Sequence, residues 1–169
     1  MSRVVVLGGG FGGVAAANEL RGCLDEDHEV VIVDRRDGFA MGFAKLWDLA
    51  GIRPIEEGTR SLADLSRRGI RVLHSEVTAI DPAGMEVSTS QGPLAADAMI
   101  VALGAPPSPI HRHLLQAPNA HDLYDIQALP AMHRALDAIS DGRVVISILR
   151  GPFKCPPAPF EAALIVDRR

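Results

Sequence analysis

Short apolar runs separated by polar turns set the order of elements in this chain. Arg3–Leu7 (RVVVL) and Glu29–Asp34 (EVVIVD) are apolar at successive positions, the pattern of strands buried on both faces of a parallel sheet. Between them, residues 12–24 place Val14, Ala17, Leu20 and Leu24 near helical spacing, and Gly13, Ala15, Ala16 and Ala17 allow close packing on a sheet. Residues 43–50, with Leu46, Trp47 and Leu49, predict a short helix. Ser61 can cap another over Leu62–Arg68. Ile70–His74 predicts a third parallel strand.

From Ser75 the period shortens to two. Residues 76–80, residues 85–89 and a stretch near Leu94 alternate, and are separated by Asp81-Pro82-Ala83-Gly84 and Gln91-Gly92-Pro93. These turn signals predict a three-stranded antiparallel meander. Residues 98–103 (AMIVAL) predict a further buried strand that stops at Gly104. The proline-rich residues 105–109 (APPSP) mark a domain boundary. Beyond it, residues 126–139 predict a helix with Leu129, Met132, Leu136 and Ile139 on one face. Residues 143–149 predict a new buried strand, and residues 156–169 the beginning of a helix.

The first strand and helix are joined by Gly8, Gly10 and Gly13, a G-x-G-x-x-G turn that includes Phe11 and Gly12. The three glycines differ in purpose. Gly8 permits a tight turn, Gly10 allows close backbone approach to a pyrophosphate, and Gly13 lets the helix pack on the strand. The helix N-terminus offers the anion free N–H groups and the positive end of its dipole. Asp34 ends the second strand 21 residues after Gly13, in range of a ribose diol. Strand, glycines, helix, strand and acid in this order predict a dinucleotide site. The expected fold class is α/β: residues 1–105 form a Rossmann-like domain with a parallel sheet and the meander, and residues 106–169 begin a second, truncated one.

Composition narrows the partners. With 47% hydrophobic residues, 17 basic and 21 acidic residues and 4% aromatics, the chain has no basic run or aromatic platform for nucleic acid. Two cysteines, Cys23 and Cys155, point to a reducing compartment rather than a disulfide scaffold. No apolar run reaches the ~20 residues of a membrane span. The expectation is a cytoplasmic chain, peripheral to the inner membrane at most. His111 and His113 lack companion ligands, so no metal is expected. Arg35 and Arg36 read as solvated charges beside the ribose acid.

Three stretches together resemble the FAD-dependent pyridine nucleotide-disulfide oxidoreductase superfamily. The first is residues 4–13 with Asp34. The second is the meander ending in residues 98–104, similar to a strand that ends in Ala-Thr-Gly, here with Leu103 in place of Thr. The third is Lys154-Cys155-Pro156-Pro157-Ala158-Pro159-Phe160-Glu161, which resembles the cysteine motif of sulfide:quinone oxidoreductases and flavocytochrome c sulfide dehydrogenases. The resemblance implies FAD held by Gly8, Gly10, Phe11, Gly12, Gly13, Asp34, Arg35, Val77, Ala102 and Gly104. It implies that Cys155 carries sulfur beside the flavin and that Glu161 accepts a proton.

The second dinucleotide site departs from the NADH-using relatives. After residues 144–149 comes Arg150-Gly151-Pro152-Phe153-Lys154-Cys155, with one glycine, and with prolines where free N–H groups would meet a pyrophosphate. Cys155 precedes Pro156 and Pro157, which suit the first turn of a helix, and a helix N-terminus with Lys154 favours thiolate. The expected function is sulfide oxidation, with electrons passing through FAD to quinone or cytochrome. The alternatives are an NAD(P)H-dependent flavin oxidoreductase of the type II NADH dehydrogenase kind, or a non-catalytic nucleotide-binding module. The family's fold is longer, so the chain reads as an N-terminal fragment. The unpaired sheet edge it leaves favours homo-oligomers.

Overall fold

The computed structural model describes residues 1–169. It divides into two compact units: Met1–Phe39 with Arg60–Ala105, and Ala40–Thr59 with Pro106–Arg169.

The first unit is built on a four-stranded sheet. Strands β1 (Arg3–Leu7), β2 (Glu29–Asp34), β5 (Ile70–His74) and β9 (Ala98–Val101) lie in the order β5-β2-β1-β9, with every neighbouring pair parallel. The register sets Val6 against Ile32 and Asp34 against His74. Side chains alternate across a strand, so each apolar run feeds two cores. Val5, Leu7, Val31 and Val33 join Val87 and Leu94 on one face. Val6, Val30 and Ile32 join Ala17 and Ile70 on the other.

The first face is covered by the meander β6 (Val77–Asp81), β7 (Glu86–Thr89) and β8 (Gly92–Ala95), antiparallel throughout. The second is covered by α1 (Phe11–Cys23), whose Ala16, Ala17 and Leu20 meet the sheet. Layers of meander, sheet and helix result. Ser61 caps the following 3₁₀ helix Leu62–Arg68 by accepting from the Ala63 N–H at 3.2 Å, and Gly69 ends it at φ +73°. The residues expected to form that helix do so, but with the tighter winding. Two short strands, β3 (Gly38–Ala40) and β4 (Thr59–Ser61), form a separate ribbon.

The second unit is mainly helical: α2 (Ala44–Leu49), 3₁₀ turns at Ile55–Gly58, Pro109–Gln116 and Ile126–Ala128, α3 (Leu129–Asp137) and α4 (Ala158–Asp167). Ala44, Ile55, Leu129 and Met132 form its core, with Trp47 and Ile126 packed against them. A polar seam supports it. His133 Nε2 donates to Asp48 Oδ1 at 2.6 Å, and Arg169 donates to His133 Nδ1 at 2.8 Å and to Asp137 Oδ1 at 2.8 Å.

One expected element does not form. Residues 143–149 make no strand, and Val145 is 71% exposed. A parallel strand is completed only by neighbours that accept and donate its ladder hydrogen bonds, and no strand lies in register beside this run. The expected helix over residues 126–139 is also divided, starting as a 3₁₀ turn capped by Asp125, which accepts from the Gln127 N–H at 3.0 Å.

No helix is long and apolar enough to cross a membrane.

Candidate functional site

The loop after β1 is shaped by backbone contacts. Gly8 has φ +105°, a conformation side chains disfavour, and a Cβ there would overlap the Ala102 carbonyl. A Cβ at Gly13 would overlap the Gly8 carbonyl oxygen. The turn and the close helix packing expected from the motif are therefore both visible. Gly10 is different: a Cβ built there meets nothing within 4 Å. The loop leaves space on that side.

Gly10 is also the N-terminal cap of α1, and no side chain caps the helix. The Val14 N–H bonds to the Gly10 carbonyl at 2.9 Å. The preceding N–H groups of the first turn have no partner within the helix. An uncapped helix start beside an open glycine is a fitting cradle for a pyrophosphate. Phe11 is exposed and packs edge-on against Phe39 with ring centroids 4.7 Å apart.

Asp34 lies at the carboxyl end of β2, buried. Its Oδ2 accepts from the Gly9 N–H at 2.6 Å and from Arg36 Nη2 at 3.0 Å. Its Oδ1 accepts from the Arg36 N–H at 2.8 Å and from Arg36 Nε at 3.1 Å. Burial alone would raise the Asp34 carboxyl, but the Arg36 and Gly9 hydrogen bonds outweigh it and hold the group below its ordinary value. The Arg36 guanidinium is correspondingly raised, chiefly by the bond to Asp34.

Arg36 thus corrects one expectation: it is not a free solvated charge but the side-chain partner of Asp34. Gly9, absent from the expected site residues, ties the loop to Asp34 through its N–H. The Asp-Arg-Arg run held the signal for the first. A backbone donor leaves no signal in sequence.

The other residues of this unit expected to hold the cofactor are placed as follows. Arg35 is exposed and pairs with Glu76 at 3.3 Å. Val77 begins β6, half-buried against the sheet core. Ala102 donates its N–H to the Leu7 carbonyl at 2.8 Å, next to the Gly8 turn. Gly104 is exposed at φ +74°. The glycine loop, Asp34 and Ala102 are brought together by the adjacent ends of β1, β2 and β9.

In the second unit, Cys155 is exposed and adopts φ +50°, unusual for a residue with a side chain. Its carbonyl accepts from the Ala158 N–H at 2.9 Å. The helix cap is Pro157. Cys155 therefore stands in the turn before α4, two residues ahead of the cap, and not at the helix N-terminus as expected. Glu161 is exposed in the first turn of α4.

The residue before the cysteine is anchored: the Tyr124 hydroxyl donates to the Lys154 carbonyl. Lys45 Nζ in turn donates to the Tyr124 carbonyl at 2.6 Å and lies 5.1 Å from the ring centroid. Burial pushes the Lys45 ammonium below its ordinary value, against the pull of Asp122. Burial also pushes the Tyr124 phenol up, with Cys155 and Asp122 adding to it. Sequence reasoning missed Lys45 and Tyr124, whose partners lie 79 and 30 residues away in the chain.

The family described as pyridine nucleotide-disulphide oxidoreductase matches residues 2–146. The sulfide:quinone oxidoreductase of the hyperthermophilic bacterium Aquifex aeolicus superposes with a TM-score of 0.72 at 25% identity, over 81% of this chain and 32% of that one. An NAD-dependent persulfide reductase from A. fulgidus gives 0.67 at 23% identity, over 80% and 28%. NDH2 from Plasmodium falciparum, in complex with NADH, gives 0.64 at 21% identity, over 80% and 29%. The last two similarities concern the fold. The chain spans about a third of the length of these structures.

Proposed function

The chain belongs to the pyridine nucleotide-disulphide oxidoreductase family, and on that premise we propose that it serves sulfide oxidation, with electrons passed through FAD to a quinone or a cytochrome. FAD is the cofactor of this family's flavoproteins. In this reading the loop from Gly8 to Gly13 holds its pyrophosphate, Asp34 its ribose, and Val77, Ala102 and Gly104 contribute backbone around it.

The observation that carries the sulfide reading is the segment around Cys155. Where NADH-using relatives have a second glycine-rich turn, this chain has prolines and an exposed thiol held in a fixed turn. The likeness to the Aquifex aeolicus sulfide:quinone oxidoreductase supports the same reading.

The chemistry asked of these residues is limited. A Cys155 thiolate and a hydrosulfide ion join in one S–S bond, releasing one proton and two electrons. Glu161, on the first turn of α4, is the nearest carboxylate in sequence to receive the proton. FAD, when bound, supplies a two-electron acceptor. Tyr124 holds the Lys154 carbonyl and so restrains the cysteine turn.

The likeness to NADH-bound NDH2 makes NAD(P)H the competing donor. The deciding measurement is the visible absorbance of the flavin in the FAD-loaded protein. Sulfide is expected to bleach it and NADH to leave it unchanged. In Cys155→Ser the flavin is expected to stay bound and sulfide bleaching to be lost. Bleaching by NADH, or unchanged bleaching by sulfide in that variant, removes the proposal.

A further inference from the structure

We propose that Arg36 is a latch on Asp34: its side chain occupies the carboxylate positions that a ribose diol needs, and so sets how tightly the ADP half of the cofactor is taken. The proposal rests on the reading of the glycine loop and Asp34 as the FAD site.

An ionised carboxylate offers about four acceptor positions. In Asp34 all are engaged: Oδ1 by the Arg36 N–H and Nε, Oδ2 by the Gly9 N–H and Arg36 Nη2. A ribose diol brings two further donors, so two of the present ones must leave. The two backbone N–H groups are fixed by the chain, one in the turn after β2 and one in the glycine loop.

The guanidinium alone can move, because it sits on a flexible stem and its side chain is 59% exposed. It gives one N–H to each carboxylate oxygen, the pattern a pair of neighbouring hydroxyls would reproduce. Arg36 therefore holds the ribose position with a chemical substitute for the ribose.

The neighbouring charges do not share this role. Arg35 pairs with Glu76 at 3.3 Å. Asp37 pairs with His74 at 2.9 Å, and His74 Nε2 bonds to the Arg35 carbonyl at 2.7 Å. These contacts fasten the turn after β2 on its other side and leave Asp34 to Arg36.

Opening the latch has a modest cost, since an ion pair with one exposed partner is worth roughly up to fivefold in an equilibrium constant. Arg36→Met keeps the stem and removes the fork. Arg36→Lys restores the charge as a single point donor. The test is calorimetric titration of the 169-residue chain with ADP and with 2′,3′-dideoxy-ADP. ADP is expected to bind Arg36→Met about three- to fivefold more tightly than the unaltered chain, with Arg36→Lys between them. The dideoxy ligand is expected to show no gain.

Equal or weaker ADP binding by Arg36→Met overturns the latch, as does an equal gain with the dideoxy ligand. Absence of ADP binding in both chains removes the cofactor reading of the loop and the latch with it. A measurement on the unaltered chain guards against a variant that misfolds. On saturation with ADP, the Arg36 Nε–H resonance is expected to lose its protection from solvent exchange, and retained protection overturns the proposal.

Discussion

Glu29–Asp34 and residues 143–149 are sequences of the same kind with opposite fates. EVVIVD is buried in a sheet, with Val31, Ile32 and Val33 wholly inaccessible. RVVISIL forms no strand, and Val145, Ile148 and Leu149 are exposed. The apolar content of a run sets what burial would gain. Whether burial happens depends on neighbours with strand edges to offer. The same contrast separates the glycine loop from the cysteine turn, each within its own unit. The glycine loop and Asp34 are fixed by a packed sheet, whereas the cysteine turn is held by two hydrogen bonds, from the Tyr124 hydroxyl to the Lys154 carbonyl and from the Ala158 N–H to the Cys155 carbonyl.

The largest expected effect tests the packed side of this contrast. Gly13→Val should destabilise the first unit by about 4 kcal/mol or prevent its folding, because the added carbons overlap the Gly8 carbonyl. Thermal unfolding followed by circular dichroism reads this, and a native midpoint would show that the loop can relax. Next, Ile32→Ala should cost about 3 kcal/mol in a denaturant titration, through lost burial and a cavity between β2 and α1.

Acid should act more gently on the same unit. Asp34 and Glu29 both have carboxyls lowered from their ordinary values: burial opposes, and hydrogen bonds from Arg36, and from Arg3 and Arg71, prevail. A lowered carboxyl adds stability that is present above its unfolded value and lost as pH falls through its folded one. The unfolding midpoint should therefore hold above about pH 5 and fall below about pH 4. Replacing both residues by their amides should flatten that fall, and an unchanged acid limb would assign it to other groups.

The smallest effects sharpen the comparison from the exposed side. Val145→Ala should change stability by less than about 0.5 kcal/mol, a tenth or so of the Gly13→Val effect. A loss near that of Ile32→Ala would mean that the run is covered in solution. Gly10→Val should likewise leave the unfolding midpoint in place, since nothing lies within 4 Å of a Cβ at that position. It should nevertheless abolish FAD binding, and a variant that remains yellow would move the pyrophosphate away from this loop.

These contrasts also explain what could be read in the sequence. The four strands of the main sheet, the meander and α1 were legible because periodicity and turn residues are local properties. The roles of Gly8 and Gly13 were legible because a missing side chain has few explanations in a strand-to-helix turn. Arg36 reads as solvated in the sequence because a sequence shows an adjacent acid but not which of its oxygens the side chain can reach. Lys45 and Tyr124 escaped notice because their link to the cysteine turn exists only after the second unit has folded. Residues 143–149 misled for the opposite reason, since their composition described a strand whose partners it could not supply.

At Gly13 the Gly8 carbonyl fills the space a side chain would need. The loop's contour is dictated by main chain against main chain, with no rotamer to choose. Its conformational entropy is lost when the sheet forms, before any ligand arrives, so that binding need not freeze it again. Such a contour is also indifferent to drift in the surrounding side chains, provided the hydrogens at Gly8 and Gly13 are never replaced.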